Sequence, residues 1–233
     1  MPWKIVALLA VPLLVACRGE RAPPRADAAR TEPRDARPVV LFLGTSLTAG
    51  YGLELEQAYP ALIQQRIDAA GLPFRVVNAG VSGMTSAGGL SRIAWLLREP
   101  VAVLVLELGA NDALRGLDPE AMRRNLQEII DRTRRAHPDA KIVIEGMEAP
   151  PNLGERYADA FRAVFPELAR RNDAAFIPFL LEGVAAVPSL NQSDGIHPTA
   201  EGQRRIAETV WRSLEPVLQS AAAERRAVSR DST

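Results

Sequence analysis

Short apolar runs alternate with longer amphipathic stretches along most of the chain, and the two kinds of segment differ in length and period. Five runs are rich in β-branched residues and have the length of strands: 39–43, 75–78, 101–108, 141–145 and 175–178. Such short, continuous hydrophobicity is typical of strands that are buried on both faces. Five stretches have helical periodicity: about 57–70, 86–98, 119–136, 155–172 and 199–218.

This alternation predicts an α/β fold, in which one parallel sheet is covered by helices. The third helix carries a clear start signal, since Asp118 can cap it and Pro119 suits its first position. In folds of this kind, ligands bind at the carboxyl ends of the strands. We therefore expect functional residues in the segments that directly follow the strands.

Four of these segments are rich in glycine and polar residues, and all are expected at one edge of the sheet. They are GTSLTAG after the first strand, AGVSGMTS after the second, GANDALRG after the third and SDGIHPTAEG beyond the fifth. The first is not a phosphate-binding loop, because it matches neither G-x-x-x-x-G-K-[ST] nor G-x-G-x-x-G. It also differs from the esterase elbow G-x-S-x-G, since Thr48 stands where the last glycine belongs.

A serine at the end of a buried strand can still act as a nucleophile if a base and a group that orients the base lie nearby. Ser46 is at such a strand end, and His197 is expected at the same edge, with Asp194 three residues before it. This spacing allows the carboxylate to accept a hydrogen bond from the imidazole. The other histidine, His137, ends a helix at the opposite edge, where a cation is stabilising. An ordinary turn before a helix is an alternative interpretation of DGIHP.

Two more residues at this edge are candidate donors to an oxyanion. Gly83 has no side chain to cover its backbone N–H, and the side-chain amide of Asn111 can donate. Taken singly, a turn glycine and a capping asparagine are adequate explanations. The convergence of four such loops on one edge favours a site.

The segments GTSLTAG, NAGVSGMTS, GANDALRG and DGIHP resemble the four blocks of the SGNH (GDSL) hydrolases in order and separation. Within that family, GANDALRG, NLGERYADAF and DGIHPTAEGQ are similar to the bacterial group of multifunctional acyl-CoA thioesterase I, lysophospholipase and arylesterase enzymes. The resemblance covers about residues 39–218. It implies a flavodoxin-like, three-layer α/β/α fold with five parallel strands in the order 2-1-3-4-5.

The resemblance also implies roles for individual residues. Ser46 would be the nucleophile, His197 the base and Asp194 its partner. The oxyanion would be bound by the N–H groups of Ser46 and Gly83 and by the side chain of Asn111.

One position departs from the family pattern. The first block is usually Gly-Asp-Ser, and Thr45 stands where the aspartate would be. A threonine hydroxyl can bond nearby backbone groups, but it brings no charge. We expect this change to affect the rate and the rigidity of the loop more than the mechanism. Thr48 is interpreted as structural.

The start of the chain has the features of a targeting segment. Residues 1–17 combine Lys4 with an apolar stretch that is too short to span a bilayer and has the length of a secretory signal. LVAC at 14–17 resembles a bacterial lipobox, which predicts lipid attachment at Cys17, the only cysteine. A plain signal peptide with an incidental cysteine is the alternative. Arg18 at the next position favours the outer membrane, facing the periplasm, because an aspartate there is typical of inner-membrane retention.

The remaining segments outside the core pattern are poor in large apolar side chains. Residues 18–37 are predicted to form a flexible tether, 38–220 the hydrolase domain and 221–233 a disordered tail. The chain has 28 basic and 28 acidic residues, and only 5% of it is aromatic, which argues against a nucleic-acid partner.

We therefore expect a monomeric serine esterase, held at the membrane of the bacterial cell envelope by a lipid anchor. It would hydrolyse acyl esters of the aryl ester, lysophospholipid or thioester type through an acyl-enzyme intermediate. No metal or cofactor is predicted, because no cluster of ligands appears in the sequence. Two alternatives stay open: a carbohydrate O-acetyl esterase that acts on envelope glycans, and a non-catalytic lipid-binding lipoprotein.

Overall fold

The computed structural model describes the backbone of residues 35–231 and the side chains of residues 35–227. This part of the chain contains five strands: β1 Val39–Gly44, β2 Arg75–Asn78, β3 Val101–Glu107, β4 Lys141–Glu145 and β5 Ala175–Ile177. They pair in parallel in the order β2-β1-β3-β4-β5. Both the predicted strands, to within one residue at each end, and the strand order implied by the family resemblance are confirmed.

Seven α-helices connect and follow the strands in the described range. They are α1 Ser46–Ala49, α2 Tyr59–Ala69, α3 Ser86–Leu96, α4 Ala110–Leu114, α5 Pro119–Ala136, α6 Glu155–Arg171 and α7 Ala200–Asp231. Short 3₁₀ turns lie at Leu55–Gln57, Pro151–Leu153 and Pro188–Leu190. The five predicted helices are present, and Asp118 caps α5 by accepting the N–H groups of Glu120 and Ala121. The short helices α1 and α4 were not predicted.

The sheet lies between two groups of helices. Helix α2 packs against α7, and α3 and α6 pack against α5. Every residue of β1 and β3, the two central neighbours, is buried, because both faces of these strands are covered. This gives the three-layer α/β/α arrangement that the family resemblance implies.

The last helix extends further than the sequence pattern predicts. It was expected to end at 218, but it runs to Asp231, and the predicted disordered tail is therefore wrong for residues 221–231. Ala221 and Ala222 are buried, and Lys141 of β4 pairs with Glu224 at 2.8 Å. Small side chains pack closely here, so the absence of large apolar residues did not mean the absence of contacts.

The predicted signal segment, Cys17 and the tether up to residue 34 lie outside the described residues. At the described end of the tether, Arg37 pairs with Asp35 and with Asp68 of α2. Between residues 35 and 231, no helix is both long and apolar enough to cross a lipid bilayer.

Candidate active site

The turn between β1 and α1 places Ser46 at the carboxyl edge of the sheet. Thr45 caps the short helix, because its hydroxyl accepts the N–H of Leu47 at 3.3 Å, and Ser46 follows as the first helical residue. Gly44 has no room for a side chain, since a Cβ there would collide with Thr48 and with the Glu107 carboxylate. The glycine of the first block thus lets β1 end in close contact with the side chains of Thr48 and Glu107.

Ser46, His197 and Asp194 form a continuous hydrogen-bonded relay. His197 Nε2 lies 2.9 Å from Ser46 Oγ, and His197 Nδ1 lies 2.7 Å from Asp194 Oδ2. With the proton on Nδ1, the imidazole donates to the carboxylate and accepts from the serine, which is the tautomer that a general base requires. The structure therefore brings together the three residues that the sequence singled out.

The turn that carries His197 is held from several sides. Asp194 Oδ1 accepts the backbone N–H groups of Ile196 and His197, both at 3.0 Å. Gly195 adopts a φ of +75°, which favours glycine. Gln192 donates its side-chain amide to the carbonyl oxygens of Tyr51 and Pro198, so the turn is also fastened to the segment after β1.

The environment of Asp194 favours its charged form. The hydrogen bond from the His197 side chain, with the two backbone N–H groups, lowers the pKa of Asp194 to about 2. The carboxylate is therefore ionised over the whole range in which an imidazole titrates, and it can stabilise an imidazolium at every such pH.

Three donors lie in the adjoining loops of β1, β2 and β3. The Ser46 and Gly83 N–H groups donate to no acceptor in the described part of the chain. The Asn111 amide donates one hydrogen to the Met84 carbonyl at 3.1 Å, which leaves the second available. Gly83 has a φ of +78°, so a turn of this shape also favours glycine. These groups suit an oxyanion hole.

The loops that carry these donors are tied to one another. The buried carboxylate of Asp112 accepts the N–H and the hydroxyl of Ser86, at 2.8 and 2.6 Å. Arg115 donates to the Gly83 carbonyl at 3.0 Å. Because Asp112 directly follows Asn111, this clamp fixes the position of the amide relative to the Gly83 loop.

Thr45, the residue that departs from the family block, is 1% exposed and fully bonded. Its N–H donates to Glu107 Oε2 at 2.7 Å, and its hydroxyl lies 2.9–3.0 Å from both oxygens of that carboxylate. Thr48 donates to Glu107 Oε2 at 2.7 Å, which agrees with its predicted structural role. The Thr45 hydroxyl thus serves both as a helix cap and as a donor to a buried acid.

Sequence reasoning missed several residues of this region. The Tyr51 ring lies against the His197 imidazole, with ring centroids 4.4 Å apart. Glu107 and Glu145 are buried beneath the segment 44–49 that carries Ser46, which we call the nucleophile turn, and they are joined through Thr48 and Tyr59. A signal was available for the two acids, because each is a charged residue at the end of an otherwise buried strand.

His137 lies where the sequence placed it, away from this site. It caps the end of α5, and its Nε2 lies 3.1 Å from the Leu97 carbonyl at the end of α3. Both helices lead into strands, so this contact is at the opposite edge of the sheet.

The catalytic edge exposes large apolar side chains. Of the described large apolar residues that are exposed, all but Trp95 lie in connections that follow the carboxyl ends of strands: Tyr51, Leu55, Val81, Leu114, Leu117 and Ile196. Isolated exposed apolar residues are common, but their concentration at one edge is typical of a surface that receives an apolar ligand.

Comparisons with known proteins agree with this geometry. A model of the GDSL-like Lipase/Acylhydrolase family matches residues 42–205. Esterase TesA of Pseudomonas aeruginosa is 43% identical over 184 residues, which cover 78% of this chain and 90% of that protein. Thioesterase 1/protease 1/lysophospholipase L1 of Escherichia coli K12 is 38% identical over 185 residues, covering 78% and 86%.

Solved structures show the same relationship. The psychrotrophic esterase EstA from Pseudoalteromonas sp., in a structure inhibited by monoethylphosphonate, matches with a TM-score of 0.73 and 32% identity. The match covers 78% of this chain and 98% of that one. By sequence and by fold, the chain belongs to the GDSL-like lipase/acylhydrolase family, and its relatives are hydrolases of ester bonds.

Proposed function

We propose that the chain hydrolyses acyl esters through a covalent acyl-enzyme intermediate on Ser46. The observation that carries this proposal is the relay from Ser46 Oγ to His197 Nε2 and from His197 Nδ1 to Asp194, at 2.9 and 2.7 Å. Both contacts have the length of good hydrogen bonds. A nucleophile, a base and a group that orients the base are therefore already in place.

In the first half of the reaction, Ser46 Oγ attacks the acyl carbonyl carbon while its proton passes to His197 Nε2. The negative charge on the carbonyl oxygen is held by the N–H groups of Ser46 and Gly83 and by the Asn111 amide. His197 then gives the proton to the leaving alcohol or thiol, and the carbon–oxygen or carbon–sulfur bond breaks.

In the second half, water takes the place of the leaving group. His197 removes a proton from the water, whose oxygen attacks the acyl carbon of the ester on Ser46. The same donors stabilise the second oxyanion. Collapse of this intermediate releases the carboxylic acid, and the proton on His197 returns to Ser46 Oγ.

The apolar catalytic edge supports substrates with an aryl or fatty acyl group. Tyr51 and Ile196 flank the His197 side of the site, and Leu114 and Leu117 follow β3 on the Asn111 side. The names of the relatives, an esterase and a thioesterase/lysophospholipase, agree with this class. We found no feature of the described surface that favours an O-acetylated glycan.

The direct test compares ester turnover by the full chain, Ser46→Ala and Ser82→Ala. Ser82 is an exposed serine in the second block and serves as the matched control. We expect Ser46→Ala to lose all but a trace of p-nitrophenyl butyrate hydrolysis and Ser82→Ala to keep it. Equal rates for Ser46→Ala and the unaltered chain would end the serine mechanism.

We further propose that Cys17 carries a lipid that holds the enzyme at the outer membrane of the cell envelope. The support is in the sequence alone: the lipobox-like LVAC, the single cysteine and the arginine that follows it. An anchored esterase would work on substrates that are released from, or embedded in, a neighbouring lipid surface.

A further inference from the structure

Two buried carboxyl groups lie beneath the nucleophile turn and take no part in the chemistry above. Glu107 ends β3 and Glu145 ends β4, and each is 1% exposed. Burying two acids side by side is costly unless hydrogen bonds and protons compensate for the lost solvent. The way in which these acids are connected shows how that compensation is arranged.

Two hydroxyl groups connect the two acids. Glu107 Oε2 lies 2.7 Å from Thr48 Oγ1, and Thr48 Oγ1 lies 2.9 Å from the Tyr59 hydroxyl oxygen. The Tyr59 oxygen in turn lies 2.9 Å from Glu145 Oε2. This acid–hydroxyl–hydroxyl–acid line therefore contains three consecutive oxygen–oxygen contacts of hydrogen-bond length.

Counting hydrogens shows that the line needs one proton more than its hydroxyls provide. Thr48 and Tyr59 supply one hydrogen each, and an ionised carboxylate supplies none. With both acids ionised, one of the three contacts would be two oxygen atoms facing each other with no hydrogen between them. A hydrogen in every contact requires a carboxyl proton on Glu107 Oε2 or on Glu145 Oε2.

The surroundings of the two acids decide which one holds that proton. Besides Thr48, Glu107 accepts the backbone N–H and the hydroxyl of Thr45, so its negative charge is well solvated by donors. The second oxygen of Glu145, Oε1, is buried and has no hydrogen-bond partner. A charge on Glu145 would be left unsolvated, whereas a neutral acid there costs much less.

The electrostatics agree with this assignment. Burial, and then the neighbouring charge of Glu107, raises the pKa of Glu145 well above its usual value. Burial also raises the pKa of Glu107, to about 7, but the hydrogen bonds from Thr45 and Thr48 oppose that rise. The pKa of Tyr59 is raised by burial and by both acids, so its hydroxyl stays neutral.

We propose that at mildly alkaline pH Glu145 holds one proton and donates it to Tyr59, so that Tyr59 donates to Thr48 and Thr48 donates to an ionised Glu107. The proposal rests on the role of Ser46 as nucleophile. The ionised Glu107 binds Thr45 and Thr48, which lie on either side of Ser46 in the chain, and so holds the segment that carries the nucleophile. Glu145 is a positioning residue: it touches no substrate, and it acts on the nucleophile turn through Tyr59 and Thr48.

Within the described residues, the neighbouring helix α7 contributes a neutral side chain, and no positive charge, to the surroundings of the two acids. Gln203 of α7 accepts the backbone N–H of Tyr59 at 2.8 Å and donates to the Leu47 carbonyl at 3.1 Å. Among the described contacts of the line, its charged and titratable members are Glu107, Glu145 and Tyr59 alone. Loss of the Glu145 proton at alkaline pH would therefore place two anions in one buried site.

The proton can be located by infrared spectroscopy of the full chain at about pH 8.5, where Glu107 is ionised and Glu145 keeps its proton. The unaltered protein should show the C=O stretch of a protonated carboxylic acid. That band should be absent from Glu145→Gln and present in Glu107→Gln. If the band persists in Glu145→Gln or disappears from Glu107→Gln, the proton is on Glu107 and the proposal is wrong. If Glu145→Gln does not fold, Glu107→Gln decides alone, because loss of the band would still overturn the assignment.

A kinetic test separates positioning from mere structural support. Glu145→Leu removes the hydrogen, so we expect kcat to fall about tenfold with little change in KM, because the nucleophile turn loosens. Glu145→Gln supplies an N–H to Tyr59, and it should recover most of that loss. Recovery no better than that of Glu145→Leu would overturn the role in positioning.

Alkaline unfolding and the Ser46→Ala variant complete the test. Glu145→Gln should also be less sensitive to alkaline unfolding than the unaltered chain, since its side chain cannot ionise. Equal alkaline sensitivity would contradict the proposal. Ser46→Ala should lose turnover but keep the infrared band, so that failure of the proposed function and failure of this inference are separate results.

Discussion

The ring of Tyr51 covers the imidazole of His197, with ring centroids 4.4 Å apart and planes inclined by 36°. Tyr51 is half exposed, so the contact lies at the mouth of the candidate site, between the His197 imidazole and solvent. Contacts of this kind between aromatic rings contribute about 0.5–1.5 kcal/mol beyond their buried area. The stack therefore helps to hold the imidazole in the orientation in which it faces Ser46.

Replacing Tyr51 by alanine should lower kcat/KM for a small soluble ester by roughly twofold to thirteenfold, the kinetic equivalent of that contact energy. Tyr51→Phe keeps the ring and should stay within about twofold of the unaltered chain. Steady-state kinetics on p-nitrophenyl acetate would check both. An equal loss in the two variants would mean that the hydroxyl, and not the stack, matters.

Asp194→Asn should lower kcat by about 10³–10⁴-fold, because it imposes the wrong tautomer on His197. The new amide would keep its oxygen on the backbone N–H groups of Ile196 and His197 and would point its NH₂ at Nδ1. The imidazole proton would then sit on Nε2 and face Ser46 as a donor. Stopped-flow or long-time turnover assays can measure such a residual rate, and a loss below tenfold would contradict the relay.

The low pKa of Asp194 also sets the sign of an effect on stability. A carboxyl whose folded pKa, about 2, lies below its unfolded value stabilises the fold above the unfolded pKa, and that stabilisation is lost as the pH falls through the folded pKa. Lowering the pH from 5 to 2 should therefore lower the thermal unfolding temperature of the unaltered chain more than that of Asp194→Asn. Parallel curves would show that this carboxylate does not contribute.

Thr45→Asp restores the usual family block but should destabilise this chain. The new carboxylate would face both oxygens of Glu107, where the Thr45 hydroxyl now donates at 2.9–3.0 Å. One of the two acids must then take up a proton, and its pKa rises. We expect a loss of about 2 kcal/mol near neutral pH, and the loss should grow as the pH rises through that raised pKa.

Denaturant unfolding at pH 5.5 and pH 8 would measure this effect. Thr45→Ser is the matched control, because it keeps the hydroxyl donor, and it should remain close to the unaltered chain at both values of pH. A Thr45→Asp protein that is as stable at pH 8 as at pH 5.5 would show that the aspartate finds another partner.

Gly44→Ala should cost about 1–3 kcal/mol of unfolding free energy, because the added Cβ overlaps the Thr48 side chain and the Glu107 carboxylate. It should also lower kcat, since Thr48 belongs to the nucleophile turn. Gly88→Ala is a suitable control: it lies in helix α3, where the added Cβ meets only flexible or ordinary contacts and alanine favours the helix. Chemical unfolding of both proteins gives the comparison.

Cys17→Ser should abolish metabolic labelling of the full chain by radioactive palmitate in a bacterial host. Lipid transfer requires the thiol, and the chain has no second cysteine. Arg18→Asp, a change at the neighbouring position, should leave the labelling intact but should move the protein to the inner membrane on fractionation. Labelling that survives in Cys17→Ser would remove the case for a lipid anchor.

The strands and the residues of the candidate site could be predicted because their signals lie in short stretches of sequence. β-branched apolar runs define the strands, and the rule that ligands bind at the carboxyl ends brings Ser46, Asp194 and His197 to one edge. The prediction of a disordered tail failed for residues 221–231 for a physical reason as well. Ala221 and Ala222 are buried by close packing, and small residues of this kind give no hydrophobic signal that distinguishes a packed helix from a disordered tail.

The line between the two buried acids could not be predicted in the same way. Its members come from different elements: Thr48 from the nucleophile turn, Tyr59 from α2, Glu107 from β3 and Glu145 from β4. Only the strand order and the register bring them together, so no spacing along the chain announces their contact. In the sequence, Thr45 is only a departure from the family block, whereas in the folded chain its hydroxyl donates to the Glu107 carboxylate.

The long helix α7 determines how the enzyme could be attached to a surface. Its first turn carries Gln203, which contacts the nucleophile turn, and its far end carries Glu224, which pairs with Lys141 at the start of β4. At a rise of 1.5 Å per residue these two positions are about 30 Å apart. A fluorophore or a resin linked to the helix near Glu224 would thus sit at the edge remote from Ser46, so the immobilised protein would keep its substrate entrance turned toward the solution.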